Sequence, residues 1–82
     1  MRIFVKKGAV KQLLKIPKKQ RVRIEGKISK LKISPFPRQS RKLRGRPAHR
    51  LRIGDYRVVY AVDKKKKRIE ILSAQHRKDA YR

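Results

Sequence analysis

The chain has 82 residues, 28 of them Lys or Arg and only 5 Asp or Glu, for a formal net charge of +23. That length makes one domain, spanning 1–82, with a modest core. The absence of cysteine excludes disulfides, a thiol nucleophile and Cys-based metal sites; no apolar run approaches the roughly 18 residues a membrane span needs, and no signal-peptide core follows Met1, so the expected setting is cytoplasmic with no membrane partner.

In chain order, residues 2–6 read as a short strand by their β-formers. A helix is expected over 8–15, with Val10, Leu13 and Leu14 as its apolar stripe, and Pro17 ends it. A second helix is expected over 18–33, burying Ile24, Ile28 and Leu31 and carrying a basic stripe of Arg23, Lys27 and Lys30. Neither helix has a strong N-cap residue, so packing must hold them. Two prolines make 34–37 a loop. Residues 41–44 form a candidate strand ending at Gly45. Residues 63–67 are a charged turn and 68–73 a further strand. The tail from Ala74 to the C-terminus has no apolar periodicity. Strands with short links pair antiparallel, and the order strand, helix, helix, strands predicts an α+β two-layer domain. An antiparallel helix pair would pack on one face of a mainly antiparallel sheet of four or five strands.

Residues 49–60 organise the rest. Gly54-Asp55 is a two-residue loop with Gly first, which suits a type II′ hairpin turn. That loop sets Ile53 against Tyr56, Arg52 against Arg57, Leu51 against Val58, Arg50 against Val59 and His49 against Tyr60. One face then carries Leu51, Ile53, Tyr56, Val58 and Tyr60, with His49 at its end. The other carries Arg50, Arg52, Arg57, Val59 and Ala61. Like charges directly across a sheet destabilise it by a few tenths to about 1 kcal/mol. Three convergent guanidinium groups make sense if an anion fills the space between them, and phosphate is the best geometric match. In a chain this basic, arginines also align by chance, and composition alone does not choose between a phosphate site and a solvated basic face.

Three segments carry a resemblance: Lys42-Leu43-Arg44-Gly45, the hairpin His49-Arg50-Leu51-Arg52-Ile53-Gly54-Asp55-Tyr56-Arg57-Val58-Val59-Tyr60, and His76-Arg77-Lys78-Asp79-Ala80-Tyr81-Arg82. Together they closely resemble the RelE/ParE toxin superfamily, and most of all its RelE branch. The resemblance implies a microbial-ribonuclease-like fold and the toxin role in a type II toxin–antitoxin pair. RelE members cleave mRNA in the ribosomal A site without a metal, whereas ParE relatives poison DNA gyrase. Carried over position by position, Arg50 and Arg52 match two basic residues before the hairpin turn and Arg57 an arginine after the hairpin tyrosine. Arg77 matches a basic residue after the last strand, and Tyr81 a C-terminal tyrosine that can stack on a base. These five are the candidate catalytic residues. Lys42, Arg44 and Lys78 join Arg50, Arg52 and Arg57 as candidate RNA or phosphate ligands. The implied partners are A-site mRNA, 16S ribosomal RNA and a neutralising antitoxin, with the toxin monomeric outside that complex. No cofactor is implied. A plain RNA-binding module remains an alternative.

This chain departs from the family in one respect. The best-known member has lysines where Arg50 and Arg52 stand, and arginine is an ineffective base. The two arginines are therefore expected to stabilise charge and orient phosphate. His49 is expected on the helix side, and His76, next to Arg77, is the reserve candidate for acid–base work. The five acidic residues are too scattered to form a hydrolytic pair or a metal site.

Overall fold

The structure, a computed structural model, describes residues 1–80, and side chains as far as Lys78. Five strands form one mixed sheet in the order β1-β5-β4-β3-β2. They are β1 (Arg2–Val5), β2 (Ser40–Lys42), β3 (His49–Ile53), β4 (Tyr56–Asp63) and β5 (Arg68–His76). Helices α1 (Lys7–Lys15) and α2 (Lys18–Lys30) cover one face, and a short α3 (Arg77–Ala80) follows β5. The two helices carry the chain from one edge of the sheet to the other. β1 therefore lies parallel to β5, while every other pairing is antiparallel.

The hairpin has the expected register, from His49 against Tyr60 to Ile53 against Tyr56. Gly54 has φ of 59° and Asp55 stays at negative φ, the combination a type II′ turn requires. The core gathers Leu51, Ile53, Val58, Tyr60, Ile69, Ile71 and Ala74 from the sheet against Ile24, Ile28 and Leu31 from the α2 side. Each fully buried aliphatic side chain contributes about 1.5–3 kcal/mol. Tyr60 lies fully buried at the centre, and its hydroxyl donates to the Pro35 carbonyl oxygen at 2.7 Å, which pins the proline loop over the end of the core. Neither helix has a side-chain cap, in line with helices held by packing.

Four expectations need correction. The buried stripe of α1 is Ala9, Leu13 and Ile16, while Val10 and Leu14 face out. The i, i+4, i+7 spacing that includes the smaller alanine beats the more apolar trio because Ala9 lets the helix approach the sheet. α2 ends at Lys30, and residues 31–33 are a turn. β2 occupies 40–42 instead of 41–44: Leu43 N–H bonds the Ala48 carbonyl, and Arg44-Gly45 turns with Gly45 at φ 72°. β5 runs three residues past Ser73, to His76.

That longer β5 contains an irregularity. The register with β4 shifts between Val59/Ser73 and Tyr60/Ile71, leaving Leu72 as an extra residue. Strict alternation from Ile69 and Ile71 would send Ser73 and Gln75 toward the helices. The bulge reverses this: Ala74 and His76 continue the helix face, and Ser73 and Gln75 turn to the open one. Where β1 ends, the Gln12 side chain of α1 accepts the Ala74 N–H that β1 leaves unpaired, at 2.8 Å.

Candidate functional site

The sheet positions the site through alternation. With Leu51, Ile53 and Val58 buried toward the helices, Arg50, Arg52 and Arg57 project from the open face. Arg52 stands directly across from Arg57, and Gln75 flanks Arg57 on its other side. The next level holds Arg50 across from Val59, with Ser73 beyond.

Arg77 begins α3 beside the hairpin turn. Its N–H donates to the Asp55 carbonyl at 2.7 Å, and its Nε lies 3.9 Å from the Asp55 carboxylate. This tie brings the end of β5 alongside the arginine hairpin. The Arg57 guanidinium is held below its ordinary pKa by desolvation first, then by repulsion from Arg50, Arg52 and Arg77. Four guanidinium groups thus share one electrostatic neighbourhood. A cavity of about 240 Å³ opens beside two of them, lined by Arg50 and Arg57 with Arg46, by Leu43 and Val59, and by Ser73 and Gln75. Phosphate fits such a place, because it accepts paired hydrogen bonds from guanidinium and removes the mutual repulsion.

The remaining candidates separate. Tyr81 lies outside the described residues. Lys42 pairs with His49 and shares the face opposite the arginines, beside Phe36. Arg44 is exposed in the Arg44-Gly45 turn and Lys78 is exposed on α3. His49 points to the helix side as expected, between Phe36 (ring centroids 4.9 Å apart) and Tyr60 (5.6 Å). Burial, then the Lys42 charge, lower its pKa. His76 corrects the expectation: the bulge turns it toward the helices. There it meets Tyr56 edge-on at 5.2 Å, and its Nδ1 accepts the Lys78 N–H at 3.2 Å. It is therefore badly placed to serve a phosphate on the open face.

Several residues of this face went unread in the sequence. Arg41 pairs with Arg50 and extends the array to the sheet edge; an expected strand with no register assigned to it gave Arg41 no face. Arg46 enters the cavity from the loop after Gly45. Ser73 and Gln75 were hidden by the bulge. Among the described residues no group of His, Asp and Glu could hold a metal, and no helix is long and apolar enough to cross a membrane.

Comparisons with known proteins give the same fold. Several solved structures are similar over nearly the whole chain, three of them as follows. The archaeal RelE–RelB complex from Pyrococcus horikoshii OT3 gives a TM-score of 0.82 at 36% identity, with 93% of each chain covered. The RelB–RelE complex from Methanococcus jannaschii gives 0.79 at 27% identity, covering 95% of this chain and 94% of that one. The intact RelBE complex from E. coli gives 0.81 at 24% identity, covering 92% and 94%; at that identity the likeness concerns the fold. No curated protein matches the chain significantly. The protein-family model described as "ParE toxin of type II toxin-antitoxin system, parDE" matches residues 3–81. The chain therefore belongs to the RelE/ParE superfamily of type II toxin–antitoxin toxins.

Proposed function

We propose that this toxin is a metal-independent endoribonuclease that enters the ribosomal A site, cleaves the mRNA there and so blocks translation. The observation that carries the reading is the gathering of Arg50, Arg52 and Arg77 around Arg57 on the open face of the sheet. Fold stability alone does not favour such a cluster, whereas a phosphate within it stabilises every member.

RNA brings its own nucleophile. The 2′-oxygen attacks the adjacent phosphorus, a 2′-O–P bond forms, the P–O5′ bond breaks, and the departing 5′-oxygen takes a proton from water. The products are a 2′,3′-cyclic phosphate and a free 5′-hydroxyl. Negative charge builds on the non-bridging oxygens, where preorganised cations and donors lower the barrier by several kcal/mol. Desolvation and three like charges disfavour the Arg57 cation, and a bound phosphate opposes both effects. Arginine does not take the 2′-hydroxyl proton, and His76 lies on the far face. Attack therefore relies on alignment of the strand by the arginines and the ribosome, with water or ribosomal RNA receiving that proton. Tyr81 is assigned to stacking on a base, a contact of about 1–3 kcal/mol.

Primer extension on mRNA in a translating extract tests the proposal. New 5′ ends within ribosome-occupied codons are expected; their absence at toxin levels that stop growth would refute it. The ParE description of the matching family favours a second reading, inhibition of DNA gyrase. A supercoiling assay separates the two, with unaffected gyrase expected. The neighbouring structures are complexes with RelB antitoxins, and we assign this chain an antitoxin partner as well. The exposed helix side, with Val10 and Leu14 on α1 and the basic Arg23, Lys27 and Lys30 on α2, is the candidate contact. Changing Arg23, Lys27 and Lys30 together to Glu should break the complex. The free toxin is expected to be monomeric.

A further inference from the structure

The arginines account for a phosphate, but not for the floor of the cavity beside them. Val59 and Leu43 give it an apolar surface, while Ser73 and Gln75 give it hydrogen-bonding groups along one side. Apolar faces and a polar edge are the surface of a nucleobase. We infer that this cavity is a nucleobase subsite, in which the Gln75 amide reads the hydrogen-bonding edge of an unpaired RNA base next to the bound phosphate.

The placement of Gln75 supports this. On β5 it stands directly across from Arg57 of β4, and such cross-strand neighbours have Cα atoms about 4.5–5.5 Å apart. A base on Gln75 and a phosphate on Arg57 are therefore within the reach of one nucleotide. Gln75 occupies this position only because of the bulge at Leu72; an unbroken strand would turn it to the helices. Bulges commonly re-aim a side chain beside a working site.

The second glutamine packed near β5 has a structural task, since Gln12 accepts the Ala74 N–H at 2.8 Å. The Gln75 amide makes no hydrogen bond among the described residues. An unengaged amide offers a donor and an acceptor side by side, the arrangement that pairs with a base edge. Unpaired RNA leaves its base edges open to such contacts. The inference rests on the reading of the arginine face as an RNA-phosphate site and adds a source of sequence preference to it.

Two measurements test it. In the first, the free toxin is titrated with the four ribonucleoside 3′-monophosphates and with inorganic phosphate, following the Gln75 side-chain amide by NMR. The amide signals should move with nucleotides and not with phosphate. Affinities for the four bases should differ by about fivefold or more, the low end for a paired side-chain contact. In Gln75→Leu they should converge toward that of inorganic phosphate. In the second, transcript ends are mapped for wild type and Gln75→Leu, and the base ranking at one position flanking the cut should flatten in the variant. Equal affinities for all four nucleotides in the wild type, or a ranking that Gln75→Leu leaves unaltered, would overturn the inference while the nuclease reading stood. Should no transcript be cut at all, the nuclease reading falls, and the nucleotide titration still decides the role of Gln75.

Discussion

The open face of the sheet has two ends that handle charge differently. Toward the strand ends farthest from the hairpin turn, Arg68 has Glu70 as a partner at 2.7 Å and lies over the Phe4 ring at 5.1 Å. Toward the hairpin turn, Arg41, Arg50, Arg52 and Arg57 crowd together. Among the described residues, the Asp55 carboxylate at the hairpin turn lies 3.9 Å from Arg77, between exposed groups. One sheet, built from one very basic composition, pairs Arg68 with a carboxylate at one end and gathers Arg50, Arg52 and Arg77 about Arg57 at the other. The contrast supports a working site around Arg57.

The comparison breaks most readily at Arg57 and Arg77. Each change to Ala should lower mRNA cleavage in a translating extract by about 10²-fold or more, the scale for losing one transition-state donor. The melting temperature at low salt should hold or rise, because a repulsive neighbour is gone. A large fall in both activity and stability would mean that these arginines hold the fold.

Ser73→Glu makes the arginine end resemble the other. A carboxylate among Arg46, Arg50 and Arg57 should cut cleavage at least tenfold by occupying the place of the phosphate. The same change should stabilise the fold by up to about 1 kcal/mol, read by denaturant unfolding. Arg41→Gln should act more mildly. The salt dependence of single-stranded RNA binding should lose a slope of about 0.7, one phosphate contact, with catalysis on bound RNA unchanged.

At the neutralised end, Glu70→Gln should leave cleavage within about twofold and cost about 1 kcal/mol or less. The smallest effect concerns pH. The His49 pKa is depressed in the folded state by burial and then by Lys42. The unfolded chain therefore binds a proton first as pH falls through its ordinary value near 6.5. Stability should be greatest above that value and decline below it until the folded-state pKa is passed. Thermal melts from pH 8 to 5 should show this slope, flattened in His49→Phe.

The hairpin was legible because a two-residue turn fixes its register, and a fixed register assigns every side chain to a face. Ile24, Ile28 and Leu31 were legible because helical spacing and apolarity agreed. On α1 they disagreed, and Ala9 and Ile16 displaced the more conspicuous Val10 and Leu14. The faces of Gln75 and His76 were not legible, since a bulge leaves no mark in a run such as Ile71-Leu72-Ser73-Ala74. The resemblance points to Lys42, whereas the register of the short edge strand β2 pairs Lys42 with His49 and sets Arg41 across from Arg50.

The parallel pairing of β1 with β5 sets the order of assembly against the order of synthesis. A chain emerging from its N-terminus has no sheet partner for its first strand until β5 has been made. Closing that long loop comes late and slows folding. The arginine hairpin also gains Gln75 and Arg77 only with β5 and the residue after it, so the growing chain acquires its complete face only once β5 has been made.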